Sequence, residues 1–262
     1  FSRYTSLIEP LSLDEAYLDV SDSPHCHGSA TLMAQEIRQT IFKELALTAS
    51  AGVAPVKFLA KIASDLNKPD GQFVLTPAEV PAFLKNLPLS KIPGVGKVSA
   101  AKLESMGLRT CEDVQNSDLA MLLKRFGKFG RILWERSQGI DEREIHNDRQ
   151  RKSIGVERTL EEDIHEWSDC EAIIERLYPE LERRLAKVKP DLLIARQGVK
   201  LKFNDFQLTT QEHVWPRLHK DDLISTAHKA WHERRGGRGV RLVGLHVTLL
   251  DPQLERQLVL GL

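Results

Sequence analysis

Two adjacent carboxylates, Asp14 and Glu15, interrupt an apolar and aromatic run near the start of the chain. A charge in such a run is costly unless a cation pairs with it. Neighbouring side chains on a strand point to opposite faces, so both carboxylates can reach one site only where the chain turns. The pattern predicts a hairpin with strands over 11–13 and 16–20 and with the acidic pair at or beside its tip.

Carboxylate oxygens on a rigid hairpin suit Mg²⁺, which usually takes one or two carboxylates and fills its other positions with water and substrate phosphates. Asp14 and Glu15 are therefore candidate catalytic and metal-binding residues. The alternative is a solvated Asp-Glu turn, because a short motif of this kind also occurs by chance.

The composition of the 262-residue chain is that of an ordinary soluble globular protein with one large domain or two to three modest ones. It has neither a signal peptide nor an apolar run long enough to span a bilayer, so we expect a cytoplasmic protein without membrane association. Its three widely spaced cysteines argue against a disulfide framework and a zinc site. Because the net charge is zero, a polyanion would be held by local basic patches.

The first 76 residues alternate short strands with two helices, which is an α+β pattern. The expected helices and strands cover residues 29–46, 48–54, 56–67 and 72–75. Lys57 and Lys61 share one face of the second helix, and Lys68 follows near its end. Lys68 is a candidate for a phosphate contact, and the alternative is a solvated helix face with a cation near its C-terminal end.

A helical region is expected to start at Thr76, where an N-cap threonine, a proline at the first helical position and Glu79 combine. Further helices are expected over 118–126 and 128–138. Residues 140–151 are dense in charge and nearly free of large apolar side chains, which is the composition of a linker.

The sequence Ile-Pro-Gly-Val-Gly-Lys, which starts at Ile92, matches a helix-hairpin-helix motif. Gly94 and Gly96 allow a tight turn that leaves backbone amides at a helix N-terminus facing outward, with Lys97 beside them. Such amides bind a nucleic-acid phosphate without reading the base sequence. The alternative is a plain turn between two helices.

The rest of the chain predicts a βαββαβ unit with helices on one sheet face. Its expected elements cover 152–159, 169–187, 192–206, 207–214, 220–235 and 240–250. Basic residues on its strands and on a glycine-rich loop are candidate DNA contacts: Lys152, Lys200, Lys202, Arg238 and Arg241. A sheet that presents cations to phosphates would bind duplex DNA with little sequence preference, although any one of them could be merely solvated.

The last six residues form an unusually apolar tail for a terminus. Its candidate partner-binding residues are Gln257, Leu258, Leu260 and Leu262. Such a tail is typical of a peptide that docks in a groove of another protein. The alternative is an edge strand that completes the core of the chain's own domain.

Four stretches together resemble the Y-family translesion DNA polymerases. They are residues 12–20, 51–71, 92–103 and 152–159. The resemblance covers essentially the whole chain and implies three parts. These are a partial polymerase palm over 1–76, a small all-helical thumb with a helix-hairpin-helix and a linker over 77–150, and a little-finger domain over 151–262.

The resemblance also implies roles for individual residues. The residue matching Asp14 coordinates two catalytic Mg²⁺ ions, and the one matching Glu15 completes the carboxylate site near the primer 3′ end. Lys68 would contact the incoming dNTP, and residues 257–262 are similar to a sliding-clamp-binding motif. The implied activity is template-directed DNA synthesis past damaged bases, by a monomer whose thumb and little finger hold primer-template DNA.

The family's palm takes another metal-binding aspartate from an N-terminal strand, and its fingers precede the stretch where this chain begins at Phe1. We therefore expect a fragment that binds primer-template DNA and the clamp but polymerises poorly or not at all by itself. Two readings without catalysis remain. The little finger could serve purely as a clamp-binding module, or the whole chain could be a non-catalytic DNA-binding protein.

Overall fold

The structure, a computed structural model, describes residues 1–147, 151–188 and 192–250. The chain divides into two compact units, Phe1–Arg149 and Gln150–Leu262. Each unit has a hydrophobic core of its own. None of the helices in the described ranges is long and apolar enough to cross a membrane.

The first unit starts with an antiparallel hairpin of two short strands, β1 (Ile8–Pro10) and β2 (Ala16–Leu18). The amides of Leu11 and Ser12 donate to the carbonyl oxygen of Glu15 at 2.8 and 3.2 Å and close the turn. The prediction of a strand over 11–13 is therefore wrong, because these residues form the turn itself. Polar turn-forming residues outweigh the alternation of leucines there.

Helix α1 (Ala30–Leu45) follows the hairpin. After it comes a βαβ arrangement of β3 (Ala51–Val53), α2 (Lys57–Leu66) and β4 (Gln72–Val74). Strands β3 and β4 pair in parallel, which requires a crossover, and α2 supplies it. A Cβ on Gly52 would lie 2.1 Å from the carbonyl oxygen of Ala60. Strand β3 can therefore lie this close to the backbone of α2 only because residue 52 is a glycine.

The remainder of the first unit is helical. It contains α3 (Val80–Lys85), a 3₁₀ turn (Leu89–Lys91), α4 (Lys97–Glu104), α5 (Cys111–Gln115), α6 (Leu119–Phe126) and α7 (Lys128–Ser137). The predicted helix start is wrong by three residues, because a turn precedes α3 and its N-cap is Glu79 instead of Thr76. The Glu79 carboxylate accepts hydrogen bonds from the backbone amide and the hydroxyl of Thr76, at 2.9 and 2.6 Å, and stabilises that turn.

One hydrophobic core joins α2 to the helical part of the first unit. Phe58 and Leu59 of α2 are fully buried in it together with Leu84, Leu103 and Leu133 of the helical part. The hydrophobic core therefore continues from the βαβ arrangement into the helices that follow residue 76. Burial of side chains of this size stabilises the unit by about 1.5–3 kcal/mol each.

The second unit confirms the predicted βαββαβ order. It contains β5 (Ser153–Ile164), α8 (Trp167–Leu185), β6 (Leu193–Phe203), β7 (Leu208–Val214), α9 (Lys220–Arg234) and β8 (Val240–Leu250). The strands form an antiparallel sheet in the order β5-β8-β6-β7. Val199, Leu201 and Phe203 of β6 are buried in a core shared with both helices. Lys200 and Lys202 alternate with them and lie on the opposite sheet face, as the sequence predicts.

Candidate functional site

Asp14 lies in the turn of the β1-β2 hairpin and is exposed. The hydroxyl of Ser12 donates to its Oδ1 atom at 2.6 Å. This hydrogen bond, then the backbone amide of Asp14 and the positive charges of Lys68 and Lys61, hold the pKa of the Asp14 carboxyl below its ordinary value. Asp14 is therefore an accessible anion at neutral pH.

A cluster of charges surrounds Asp14. Glu15 forms an ion pair with Lys61 of α2, and Lys61 also lies 3.8 Å from Asp65. Lys68 binds Asp65 at 2.6 Å, and the hydrogen bond and charge of that carboxylate raise the pKa of Lys68, with smaller contributions from Glu15 and Asp14. The structure thus brings the predicted residues Asp14, Glu15 and Lys68 into one neighbourhood. It adds Asp65, which sequence reasoning missed although it lies one helical turn after Lys61.

The carboxylate oxygens of Asp14 and Glu15 supply some, but not all, of the ligands that a hard divalent cation needs. Carboxylate oxygens are the ligands that Mg²⁺ prefers, and Asp14 is accessible from solvent. Glu15 is less available because Lys61 pairs with it. Within residues 1–147, 151–188 and 192–250 there is no group of three or more His, Cys, Asp or Glu that could hold a metal ion. A Mg²⁺ ion here would need water or substrate phosphates as its other ligands.

Lys57 holds the base of the hairpin and lies on the same face of α2 as Lys61. Its side chain is only 9% exposed, and its Nζ atom binds Glu9 of β1 at 2.6 Å and lies 5.2 Å from the ring centre of Tyr17 on β2. It also donates to the carbonyl oxygen of Glu144 at 2.9 Å. From the sequence, the face of α2 that carries Lys57 and Lys61 could have bound phosphate or faced solvent. In the structure this face binds the hairpin at two points.

Residues 140–147, which we name the strap, lie against the first unit, although their composition is that of a linker. Asp141 of the strap has no exposed side-chain surface and pairs with Arg136 at 2.7 Å and Arg143 at 2.8 Å. It also accepts a hydrogen bond at 3.0 Å from the backbone amide of Phe58 in the first turn of α2. Asp141 thereby caps a helix whose own N-cap residue provides no side-chain cap.

The charge of Asp141 depends on these partners. Burial by itself raises the pKa of the carboxyl, but the hydrogen bond from Arg143 and the charges of Arg136 and Arg143 outweigh it. The pKa of Asp141 therefore lies below its ordinary value. Arg136 is itself buried, so the two charges stabilise each other in a poorly solvated site.

The predicted helix-hairpin-helix turn is present between the 3₁₀ turn and α4. Ile92 and Val95 are buried and anchor it, and Gly94 has a φ of 97°, a conformation that favours glycine. Gly96 is the N-cap of α4 and provides no side chain to cap its amides. A Cβ on Gly96 would meet no atom within 4 Å, and Lys97 next to it is exposed. The turn therefore presents an open helix N-terminus with a lysine beside it.

The sheet cations of the second unit have different surroundings. Lys152 is exposed, whereas Lys200 pairs with Glu157 at 2.7 Å. Gly244 lies between Glu157 and Lys200 in the sheet register. Because it has no side chain, the carboxylate and the ammonium group can meet across it. Lys200 therefore lies beside an opposite charge on the sheet surface.

Aromatic rings hold the other predicted cations. Arg238 lies 4.0 Å from the ring centre of Phe203 and pairs with Asp205 at 2.9 Å, so it fastens the loop before β8. Lys202 and Arg241 lie 5.0 and 4.2 Å from the ring centre of Phe206. Phe206 is 63% exposed and carries two cations at the surface, a role that the sequence pattern did not indicate. Residues 257–262 lie outside the described residues.

Three family models match the chain. Residues 1–65 match the impB/mucB/samB family, and residues 151–260 match the impB/mucB/samB family C-terminal domain. Residues 90–141 match the thumb domain of DNA polymerase-iota. These three matches contain the acidic hairpin, the βαββαβ unit and the helix-hairpin-helix turn.

DNA polymerase IV of Citrobacter koseri is 87% identical over 262 residues, which are 100% of this chain and 75% of that protein. A solved Y-family DNA polymerase chimera is 27% identical, with a TM-score of 0.79 over 94% of this chain and 72% of its own. A little finger domain of PolIV, solved in complex with the beta-clamp processivity factor, is 86% identical over 42% of this chain and 99% of its own, with a TM-score of 0.38. On the identity to DNA polymerase IV, this chain belongs to the Y-family of DNA polymerases.

The buried Asp141 site leads to a stability prediction. Asp141→Asn should lower the free energy of unfolding at pH 7 by about 3 kcal/mol, because it leaves buried Arg136 without its counter-charge. Because the pKa of Asp141 is lowered in the folded protein, its ionised carboxylate stabilises the fold at pH values above its unfolded pKa of about 3.9. This contribution is lost as the pH falls towards the pKa of the folded protein. The difference between the two proteins should therefore shrink below about pH 4. Urea unfolding at pH 7 and pH 3.5 measures it.

The matched control is Glu142→Gln, which removes an exposed carboxylate from the neighbouring position. It should leave stability within about 0.5 kcal/mol of the unchanged protein. Equal stability of the Asp141→Asn and Glu142→Gln proteins at pH 7 would contradict the assignment of Asp141 as a buried anchor.

Proposed function

We propose that this chain carries the catalytic carboxylates of a DNA polymerase that copies past damaged bases by two-metal nucleotidyl transfer. The observation that carries the proposal is the exposed, anionic Asp14 at the hairpin turn, with Glu15 and Lys68 nearby. Membership of the Y-family supports the reaction class. Such a reaction on chromosomal DNA takes place in the cytoplasm of a bacterium.

In the proposed mechanism, Asp14 would hold Mg²⁺, and Glu15 would complete the carboxylate site near the primer 3′ end. Two bound ions would supply activation of the primer 3′-hydroxyl and neutralisation of the triphosphate and the leaving pyrophosphate. Lys61 orients Glu15 through their ion pair. Lys68, held by Asp65, places an ammonium beside the acidic site for the phosphates of the incoming dNTP.

We propose that the chain holds primer-template DNA through its phosphates. The open N-terminus of α4 with Gly94, Gly96 and Lys97 would bind one strand without reading bases. The cations of the second unit, Lys152, Lys200, Lys202, Arg238 and Arg241, would contact the duplex in the same manner. A grip that reads no bases tolerates a distorted template base, which suits synthesis past damage.

The C-terminal tail is proposed to tether the polymerase to the sliding clamp. Its apolar residues Leu258, Leu260 and Leu262 and the preceding Gln257 resemble a clamp-binding peptide. A tether raises the effective concentration of the polymerase at the primer end. It would compensate for a weak hold on DNA.

A second candidate applies to the chain taken alone, namely a non-catalytic module that binds primer-template DNA and the clamp. It is favoured by the lack of any group of three metal-binding side chains in residues 1–147, 151–188 and 192–250. Catalysis would then require a further carboxylate from the complete polymerase.

Replacement of Asp14 tests the catalytic proposal. In the complete polymerase, Asp14→Ala should lower the rate of primer extension at least about 10³-fold, since a metal ligand is worth several kcal/mol of transition-state stabilisation. Affinity for primer-template DNA should stay within about twofold, because the phosphate contacts lie elsewhere. Single-turnover extension and fluorescence anisotropy measure the two quantities. Asp22→Ala, another exposed carboxylate of the same unit, should behave like the unchanged protein; an active Asp14→Ala enzyme refutes the assignment.

Salt dependence tests the contact at the helix-hairpin-helix turn. Lys97→Ala should weaken DNA binding and reduce the slope of log affinity against log salt concentration by about 1, the contribution of one phosphate contact. The control is Lys85→Ala, which removes a lysine that pairs with Glu112 on another helix. An equal slope for both variants would rule out a phosphate contact of Lys97.

Removal of residues 257–262 tests the tether. The shortened polymerase should extend primers normally on its own but lose about 10²-fold in stimulation by the clamp, the scale of a lost tether. Glu255→Ala, just before the tail, should keep that stimulation. Full stimulation of the shortened protein would remove the clamp-binding role of the tail.

A further inference from the structure

The acidic hairpin cannot hold its own position. Each of its two strands has three residues, and the side chain of Leu13 in the turn is fully exposed. A two-stranded hairpin of this size is marginally stable by itself in water. The location of Asp14 therefore depends on contacts made by the base of the hairpin.

The strap provides contacts along β1 that resemble pairing with another strand. The side-chain oxygen of Asn147 accepts a hydrogen bond from the amide of Ile8 at 3.0 Å. Its side-chain nitrogen donates to the carbonyl oxygen of Ser6 at 2.8 Å. One amide side chain thus satisfies a backbone donor and a backbone acceptor two residues apart, as a neighbouring strand would.

A third hydrogen bond joins the strap to the hairpin. The backbone amide of His146 donates to Glu9 at 2.9 Å, on the same carboxylate oxygen that binds Lys57. Burial by itself raises the pKa of Glu9, but Lys57 and this amide outweigh it and keep the pKa below its ordinary value. The strap is therefore part of the junction between β1 and α2.

The other end of the strap is anchored independently. Asp141 is buried against Arg136 and caps α2 at Phe58. Six residues later, Asn147 reaches β1. The strap thus spans from the start of α2 to the edge of the hairpin, with a fixed point at each end.

We propose that Asn147 is a positioning residue for nucleotidyl transfer: through the strap it fixes the hairpin that carries Asp14 and Glu15. This inference rests on the proposed function, since it concerns the same acidic site. Asn147 acts through the backbone of residues 6–8 and is not among the residues proposed to hold DNA. Loss of its contacts should therefore affect turnover and the Mg²⁺ requirement, and leave DNA affinity unchanged.

The test uses the complete polymerase and three variants. Asn147→Ala removes both hydrogen bonds to β1, and Asn147→Asp keeps the acceptor for Ile8 but loses the donor to Ser6. Glu142→Ala changes an exposed residue of the same strap and is the matched control. The readouts are hydrogen exchange of residues 6–18, kcat for primer extension, the Mg²⁺ concentration at half-maximal rate, and the Kd for primer-template DNA.

In Asn147→Ala we expect hairpin amides to exchange about thirtyfold faster, the equivalent of two lost net hydrogen bonds. We expect kcat to fall about threefold to tenfold and the Mg²⁺ midpoint to rise, because the carboxylates lose their fixed position. Asn147→Asp should lie between Asn147→Ala and the unchanged protein. Glu142→Ala and the Kd for DNA should not change.

Two results would overturn the inference. One is unchanged hairpin exchange in Asn147→Ala, which would show that the strap does not hold the hairpin. The other is faster exchange with unchanged kcat and Mg²⁺ midpoint, which would reduce Asn147 to a structural role. Failure of the proposed function is separable, because then Asp14→Ala would keep its turnover whatever Asn147→Ala does to exchange.

Discussion

The buried ammonium of Lys57 joins the parts of the first unit. It binds Glu9 on β1, lies over the ring of Tyr17 on β2 and donates to a carbonyl oxygen of the strap. A desolvated ammonium is tolerated only with such partners. One helical turn later, Lys61 pairs with Glu15, so α2 binds both ends of the hairpin through one face. The position of the acidic turn depends on this pair of lysines.

This arrangement separates the chemistry from its support. A carboxylate that is to meet a metal ion and a triphosphate must be exposed, and Asp14 is. An exposed turn has little packing of its own, so its geometry must be imposed from the base. Buried ion pairs are suited to that task because breaking one leaves an unpaired charge away from water. Lys57 and Asp141 fill this role, since both side chains are buried and neither takes part in the proposed reaction.

The surfaces proposed for DNA show why a count of cations overstates their availability. Lys200 and Lys202 lie on the expected sheet face, yet Lys200 pairs with Glu157 across Gly244. Arg238 is bound to Asp205 and fastens a loop. Strand alternation tells which face a side chain occupies, but its partner comes from the neighbouring strands. The net field at the sheet is accordingly weaker than the sequence suggests.

The amino-acid sequence was sufficient to predict the βαββαβ order of the second unit, the helix-hairpin-helix turn and the acidic pair at a chain reversal. These features follow from periodicity and turn chemistry within a few residues. The packing of residues 140–147 as a strap and the burial of Lys57 emerge only in the folded protein. Asp141 meets Phe58 across 83 positions, and Lys57 meets Glu9 across 48. No local pattern encodes such contacts, because they arise only when packing of the core brings distant charges together.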